Sequence, residues 1–324
     1  MFWTEELYEK AYDLVTEKYP IVIPSVNRPK PIIIDKIFCD FDEKYNWPVI
    51  LILRKSQVED YKKNLTNPYV QIVSFEDELI NDIGKVRAVL LEHMFKNGHK
   101  RIFMSDDDMY SIGFNTKTEA KNGSYVAKKP KYDINSARLF AMWQLASEQA
   151  FDKHGAIFAA MAPRFSSWPF DTLDEASSMK IISQGSPIIA VNIEKIYSEK
   201  LVYESDKIVG FCDLDFNIKV FDSGNTNVVF PWLYFDYPED HMSVENYEWF
   251  SSLEERLEKS YNVLLEKHKD KNFIKVHQKP ISYIKNSKAI TQVSIDVRQV
   301  RKNLGLTKSY KVNVYDEIRK QYNF

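Results

Sequence analysis

Short apolar runs alternate with amphipathic stretches through the first third of the chain. Ile21-Val-Ile23, Val49-Ile-Leu-Ile-Leu53, Val70-Gln-Ile-Val73 and Arg101-Ile-Phe-Met104 are each bounded by Pro, Asn, Ser or Gly, which marks them as strands. Helical spacing fills the gaps. Thr4 can cap a helix running to about Tyr19, Ser56 one through Tyr61, and Ile83, Val86, Leu90 and Met94 form an apolar stripe ending near Gly98. This alternation predicts βαβ units around a largely parallel sheet. Farther along, a helix begins near Asn135. Ser243 can cap a long one reaching about Lys267, with Tyr247, Phe250, Leu253, Leu257, Tyr261, Leu264 and Leu265 on its apolar face. Lys311-Val-Asn-Val314 is a short β-rich run.

In open α/β sheets ligands bind beyond the carboxyl ends of the strands, so the residues after each run matter most. The first run is followed by Pro24-Ser-Val-Asn-Arg-Pro29 and the second by Arg54-Lys55. The fourth leads, after Ser105, into three consecutive aspartates, Asp106 to Asp108. Crowded carboxylates repel one another unless a cation sits among them, and hard divalent ions take carboxylate and phosphate oxygens. The triplet also fits a solvated capping turn, and Pro24 to Pro29 a rigid turn. Gly84-Lys-Val-Arg87 opens the helix before the triplet, where free N–H groups and the dipole favour anions. Lys85 and Arg87 either reinforce that preference or are exposed surface charges.

At 324 residues and 44% hydrophobic content, the chain can bury one large core or two small ones. No apolar run approaches the roughly 20 residues of a membrane span, and the start lacks the basic and apolar regions of a secretory signal. A cytosolic setting is expected. Cys39 and Cys212, far apart in apolar contexts, are expected to be buried free thiols rather than a disulfide or zinc site. The net charge of −2 conceals an asymmetry: residues 267–324 hold 14 Lys+Arg against 4 Asp+Glu, leaving 30 against 42 before them. That basic end either attracts a polyanion such as nucleic acid or packs on the acidic body.

The strand-end residues resemble those of the GT-A glycosyltransferases. The resemblance rests on Ile-Pro-Ser-Val-Asn-Arg-Pro closing the first strand, Ile-Gly-Lys-Val-Arg opening a helix, and Ser-Asp-Asp-Asp-Met after the fourth strand. It implies an α/β, GT-A-like fold: a Rossmann-type nucleotide-binding half with a mixed central sheet, plus acceptor-side and basic C-terminal elements. Residues 1–110 would form the nucleotide-sugar half and 111–240 the acceptor half, with 241–324 a helical, basic extension packed on them. Pro24, Ser25, Asn27, Arg28, Arg54, Lys85, Arg87 and Asp106 would hold a UDP-sugar. Asp106 and Asp108, at Asp-x-Asp spacing, would bind the Mn2+ or Mg2+ that bridges its phosphates.

Within that fold the set most resembles the TET-associated and related virus-encoded glycosyltransferases, bacteriophage enzymes included, that modify hydroxymethylated bases in DNA. Gln184-Gly-Ser-Pro-Ile-Ile-Ala-Val-Asn192, Phe211-Cys-Asp-Leu-Asp-Phe216 and Gly224 are similar to the family's acidic segment beside the acceptor, with Cys212 at the usual first acidic position. Asp213 or Asp215 would then act. In an inverting enzyme Asp213 is the expected base for the acceptor hydroxyl; in a retaining one both aspartates orient sugar hydroxyls. Asp213, Asp215, Asn217 and Lys219, alternating with Cys212, Leu214, Phe216 and Ile218, equally fit a half-exposed strand. Val276-His-Gln-Lys-Pro280 resembles a late segment in which His meets the metal and Lys the diphosphate, which offers His277 and Lys279, with His241 a rival ligand.

The implied activity is metal-dependent transfer of a hexose or pentose from a UDP-sugar to a hydroxyl. The implied acceptor is 5-hydroxymethylcytosine in DNA, bare or already glycosylated, in the host cytoplasm if the protein is virus-encoded. A protein, glycan or lipid acceptor and a metal-dependent nucleotidyltransferase are the alternatives. Lys117, Lys121, Lys128, Lys129 and Lys131 make a basic segment expected to be a mobile loop. Tyr125, Tyr132, Trp143, Phe165, Trp168 and Phe170 either stack on an acceptor or simply pack, since 14% aromatic content supplies many packing rings.

Overall fold

A computed structural model of the chain describes residues 3–119, 125–128, 133–163, 178–183, 188–203, 211–237, 253–280, 288–306 and 311–323. Residues 184–187, together with Lys121, Lys129, Lys131, Tyr132, Phe165, Trp168, Phe170, His241, Ser243, Tyr247 and Phe250, lie outside the described residues.

The first third follows its hydrophobic pattern. Helix α1 (Trp3–Leu14) precedes β1 (Ile21–Pro24), and α2 (Ile32–Lys36), β2 (Val49–Arg54), α3 (Val58–Asn64), β3 (Val70–Phe75), α4 (Ile83–Lys96) and β4 (Arg101–Met104) follow. The helix starts differ from expectation. Thr4 lies inside α1, which stops well before Tyr19. Ser56 does not cap α3; its hydroxyl donates to Asp77 at 2.5 Å. Asp82 caps α4, accepting from the Lys85 N–H at 2.9 Å.

Strand β1 pairs in parallel with β2 on one side and β4 on the other, and β2 pairs in parallel with β3. The chain thus winds outward from β1 to β3 and then crosses back to lay β4 on the opposite flank of β1. This reversal opens a crevice at the carboxyl ends of β1 and β4. The loop after β1 and the aspartates after β4 therefore share one site.

The chain continues through β5 (Ser111–Phe114), β6 (Thr116–Glu119), β7 (Tyr125–Lys128), α5 (Ser136–His154), β8 (Ala156–Pro163), β9 (Ser178–Ile181) and β10 (Ile189–Asn192). Then come α6 (Ile193–Ser198), α7 (Cys212–Asp222), β11 (Thr226–Asp236), α8 (Leu253–His268), β12 (Ile274–Pro280), β13 (Ala289–Ile295), α9 (Val297–Asn303), β14 (Lys311–Asn313) and α10 (Val314–Tyr322). Strand β10 lies antiparallel between β4 and β8, and β11, β9 and β14 extend the sheet, which is mixed as the resemblance implied. Part of the basic segment expected to be a loop is the antiparallel pair β6–β7. The C-terminal region completes the main sheet through β14 rather than only resting on it.

Phe103 of β4 stacks into an aromatic centre with Trp143 (ring centroids 4.5 Å apart) and Phe140 (5.2 Å). Burial of such rings is worth about 1.5–3 kcal/mol each, so β4 is held firmly and the aspartates that follow it start from a rigid base. Trp143 is a core residue, as its packing alternative required. Strand β11 pairs with β5 across Tyr234 and Gly113; a Cβ at Gly113 would collide with the Tyr234 ring. That pairing returns the end of β11 to the triplet. Cys212 is buried as expected, whereas Cys39 is exposed, because it lies in the turn after α2 where Phe38 takes the core position. Among the described residues no helix is long and apolar enough to cross a membrane.

Candidate active site

The triplet divides its work by side-chain direction. Asp106 accepts from Arg87 Nη2 at 2.9 Å and from the Tyr237 hydroxyl at 3.1 Å. Asp107, only 8% exposed, accepts from Ser25 Oγ at 2.5 Å and from Arg28 Nη1. Asp108 has Arg28 Nη1 at 3.6 Å from its Oδ2. Two guanidiniums thus answer three carboxylates. Burial pushes the Asp107 carboxyl up to about 6 against the pull of Arg28 and Ser25. Burial, with Asp106 and Asp107 alongside, pushes Asp108 up to about 7. The pair Asp106 and Asp108 therefore sits in a site short of positive charge, which suits a hard cation.

Among the described residues no group of three or more His, Cys, Asp or Glu is arranged to hold a metal. A two-carboxylate site still fits Mg2+ or Mn2+, which commonly take one or two carboxylates and complete their shell with water and substrate phosphate. Among the described residues His277 is not grouped with Asp106 and Asp108. It lies on β12, whose described pairing is with β13 alone, and its Nε2 is 2.9 Å from Ser294 Oγ. Lys279 stands exposed on the same ribbon.

Of the loop after β1, Pro24 and Ser25 are buried at the strand end and Arg28 turns inward. Asn27 is exposed in the left-handed region (φ 55°), its backbone N–H donating to Gln57 Oε1 at 3.1 Å. Arg54 is spent on the carbonyls of Ile80 and Asn81, at 3.5 and 3.4 Å. Lys85 and Arg87 part company because residues two apart on a helix face different ways. Arg87 is buried and reaches the triplet, while Lys85 is partly exposed, with its Nζ 4.0 Å from Asp82. The α4 terminus already carries that acid cap, which answers its dipole without a ligand.

The same geometry separates Asp213 from Asp215, since their segment is helix α7 and not a strand. Asp213 faces Arg87, which donates to it and, at 2.9 Å, to Cys212 Sγ. Asp215 faces the other way. Its side chain is 1% exposed and meets His268 Nε2 at 2.7 Å, Lys267 Nζ at 2.9 Å and Lys219 Nζ at 3.2 Å. Burial alone would raise its pKa, but those three partners hold it down at about 2. Asp215, expected to act beside the acceptor, is thus engaged in tying α7 to α8.

Arg87 is the centre of this arrangement. It joins Asp106, Asp213 and Cys212, with its guanidinium 5.9 Å over the Tyr203 ring. Tyr61, Tyr203 and Tyr237 carry no signal in the sequence, where nothing distinguishes them among 19 tyrosines. Burial raises the pKa of each of these phenols, so each stays a hydrogen-bond donor.

Solved structures are similar at low identity. The crystal structure of S. aureus TarS 1-349 has 14% identity and a TM-score of 0.40, covering 79% of this chain and 73% of that one. A mycobacterial protein has 10% identity and 0.41, covering 91% of each. GalNAc-T7 with UDP, GalNAc and Mn2+ has 10% identity and 0.37, covering 94% of this chain and 56% of that one. No curated protein sequence matches the chain. The family model for TET-associated glycosyltransferases matches residues 19–246, a span running from the lead-in to β1 past Asp213 and Tyr237. The chain therefore belongs to the TET-associated glycosyltransferase family and is a glycosyltransferase.

Proposed function

We propose that the protein moves a sugar from a UDP-sugar to 5-hydroxymethylcytosine in DNA, bare or already glycosylated, in a metal-dependent reaction. The observation that carries this is the meeting of Asp106 and Asp108 with Arg28 and Arg87 at the carboxyl ends of β1 and β4. Pro24 and Ser25 shape the donor crevice, and Arg28, held by Asp107 beside Asp108, would offer its remaining N–H groups to a diphosphate. A divalent ion held by Asp106 and Asp108 would offset the charge that grows on the departing diphosphate.

Arg87 spans the two halves of the reaction, since it holds Asp106 on the donor side and Asp213 on the acceptor side. Asp213, with its side chain 26% exposed, is the proposed base. In an inverting reaction it takes the acceptor hydroxyl proton as that oxygen bonds the anomeric carbon, and the sugar–phosphate bond breaks with its electron pair going to UDP.

The family description and the basic C-terminal region support a DNA acceptor. Lys271 and Lys275 are matched internally by Asp222 and Asp296, at 2.9 and 2.8 Å. Lys279, Lys288, Arg298 and Lys302 stand exposed on β12, before β13 and on α9. Such a surface attracts phosphate backbones. The test is to incubate the protein with a panel of UDP-sugars, with Mn2+ or EDTA, and DNA containing cytosine or 5-hydroxymethylcytosine, followed by mass spectrometry of the nucleosides. Sugar-linked nucleoside from modified DNA alone, abolished by EDTA, is the expected result. UDP release with a protein, glycan or lipid acceptor but none with modified DNA would overturn the acceptor assignment.

A further inference from the structure

We infer that Asp107, the middle residue of the triplet, is a positioning residue: with Ser25 and Tyr61 it closes a hydrogen-bonded ring that holds Arg28 at the donor site. The inference rests on the proposed UDP-sugar donor and extends it to residues with no contact to the metal.

The ring can be followed proton by proton. The Arg28 backbone N–H donates to the Tyr61 hydroxyl oxygen at 3.0 Å. Tyr61 and Ser25 hydroxyl oxygens are 2.7 Å apart. The Ser25 hydroxyl has one proton, and it goes to Asp107 Oδ2 at 2.5 Å, so Tyr61 must donate to Ser25. Asp107 Oδ1 then receives Arg28 Nη1. The path begins and ends on the same arginine, at its backbone and at its guanidinium. Ser25, Tyr61 and Asp107 are each buried, at 2%, 1% and 8% exposure, so water does not readily substitute for a lost partner.

Only a carboxylate closes such a ring. Both of its oxygens accept, whereas an amide at position 107 would turn a donor toward either Ser25 or Arg28. If it faced Ser25, the relay would reverse and the Tyr61 proton would point at the Arg28 N–H, itself a donor. The backbone adds a third tie, because the Asp107 carbonyl accepts from the Ile33 N–H at 3.2 Å. The ring thus joins the loop after β1, helix α3 and the triplet, with Asp106 and Asp108 on either side of a fixed centre.

The test is a double-mutant cycle on UDP affinity. Isothermal titration of UDP with Mn2+ is compared for wild type, Tyr61→Phe, Arg28→Ala, the double variant and Asp107→Asn, with melting temperatures measured alongside. Tyr61→Phe removes one oxygen and keeps the ring of carbons, so it stays folded even if Asp107→Asn does not. Tyr61→Phe and Arg28→Ala are each expected to weaken UDP binding about tenfold, and the double variant no more than either. In turnover, KM for the UDP-sugar should rise about tenfold with kcat changed by less than about threefold. Mn2+ binding without nucleotide, followed by electron paramagnetic resonance, should survive Tyr61→Phe and Asp107→Asn but not Asp108→Asn. Wild-type UDP affinity in Tyr61→Phe, additive losses in the double variant, or loss of Mn2+ by Asp107→Asn to the extent seen with Asp108→Asn would each overturn the ring. Failure of the wild type to bind UDP at all would instead overturn the donor assignment, and the inference with it.

Discussion

Asp215→Asn separates a structural aspartate from a catalytic one. The wild-type carboxylate is enclosed by His268, Lys267 and Lys219 at 2.7, 2.9 and 3.2 Å. Holding its pKa at about 2 instead of the ordinary 3.8 corresponds to roughly 2 kcal/mol of stability. Removing one partner from a fully buried ion pair costs about 3–5 kcal/mol. Lys219 and Lys267 are 16% and 27% exposed and can turn to water, so the expected loss is about 2–3 kcal/mol, or roughly 4–8 °C in melting temperature. The pH signature follows from the sign of the shift. A carboxyl whose folded pKa lies below its unfolded one contributes fully above the unfolded value and loses that contribution as pH falls through the folded one. The stability gap between wild type and variant should therefore be constant from pH 7 to about 5 and shrink between about 4 and 2. Urea denaturation followed by circular dichroism at stepped pH reads it, with sugar transfer measured in parallel below the variant's melting range. An unchanged melting temperature with transfer abolished would refute the clamp and return Asp215 to the active site.

Other outcomes are expected at the site and on the basic surface. Asp108→Asn removes a carboxylate crowded by Asp106 and Asp107, so without metal the melting temperature should hold or rise while Mn2+-dependent transfer falls at least about 100-fold; differential scanning fluorimetry and a turnover assay check both. Arg87→Lys replaces a fork that reaches Asp106, Asp213 and Cys212 with one ammonium, and should lower kcat by about tenfold or more while costing stability; steady-state kinetics and thermal melts would show it. Asp213→Asn should lower kcat in an inverting reaction with little change in melting temperature, and full activity would rule out its role as base. Lys288→Ala with Arg298→Ala should weaken DNA binding and flatten the slope of its salt dependence by about 0.9 for each phosphate no longer neutralised, read from binding isotherms at several salt concentrations, with UDP affinity unchanged.

Much of the first third of the fold is legible in residue order alone. The apolar runs at Ile21, Val49, Val70 and Arg101 are the strands, and Asp106 and Ser25 stand at strand ends as expected. Local pattern suffices there because a buried parallel strand needs a short apolar run and a polar stop. The signal fails where the spacing is ambiguous. An Asp-x-Asp spacing on a strand puts both carboxylates on one face, but Asp213 and Asp215 lie on α7, where the same spacing turns them apart. Lys85 and Arg87 separate on α4 for the same reason. His277 stands in a familiar short motif, yet motif spacing says nothing about which sheet a strand joins, and β12 pairs with β13.

Residue order determines the element types of residues 1–110, the position of the aspartate triplet behind a strand, and the excess of basic residues toward the C-terminus. Those are properties of short stretches, written in residue order and in the period of apolar positions. Long-range packing sets β1 beside β4, so that Ser25 and Arg28 meet Asp107. It alone put Arg87 between Asp106 and Asp213, tied Asp215 to α8, and brought Tyr237 to the triplet and Tyr61 to Ser25 and Arg28. Each of those depends on which distant segments pack together, and that is set by the whole core's burial and by the hydrogen-bond partners it leaves available.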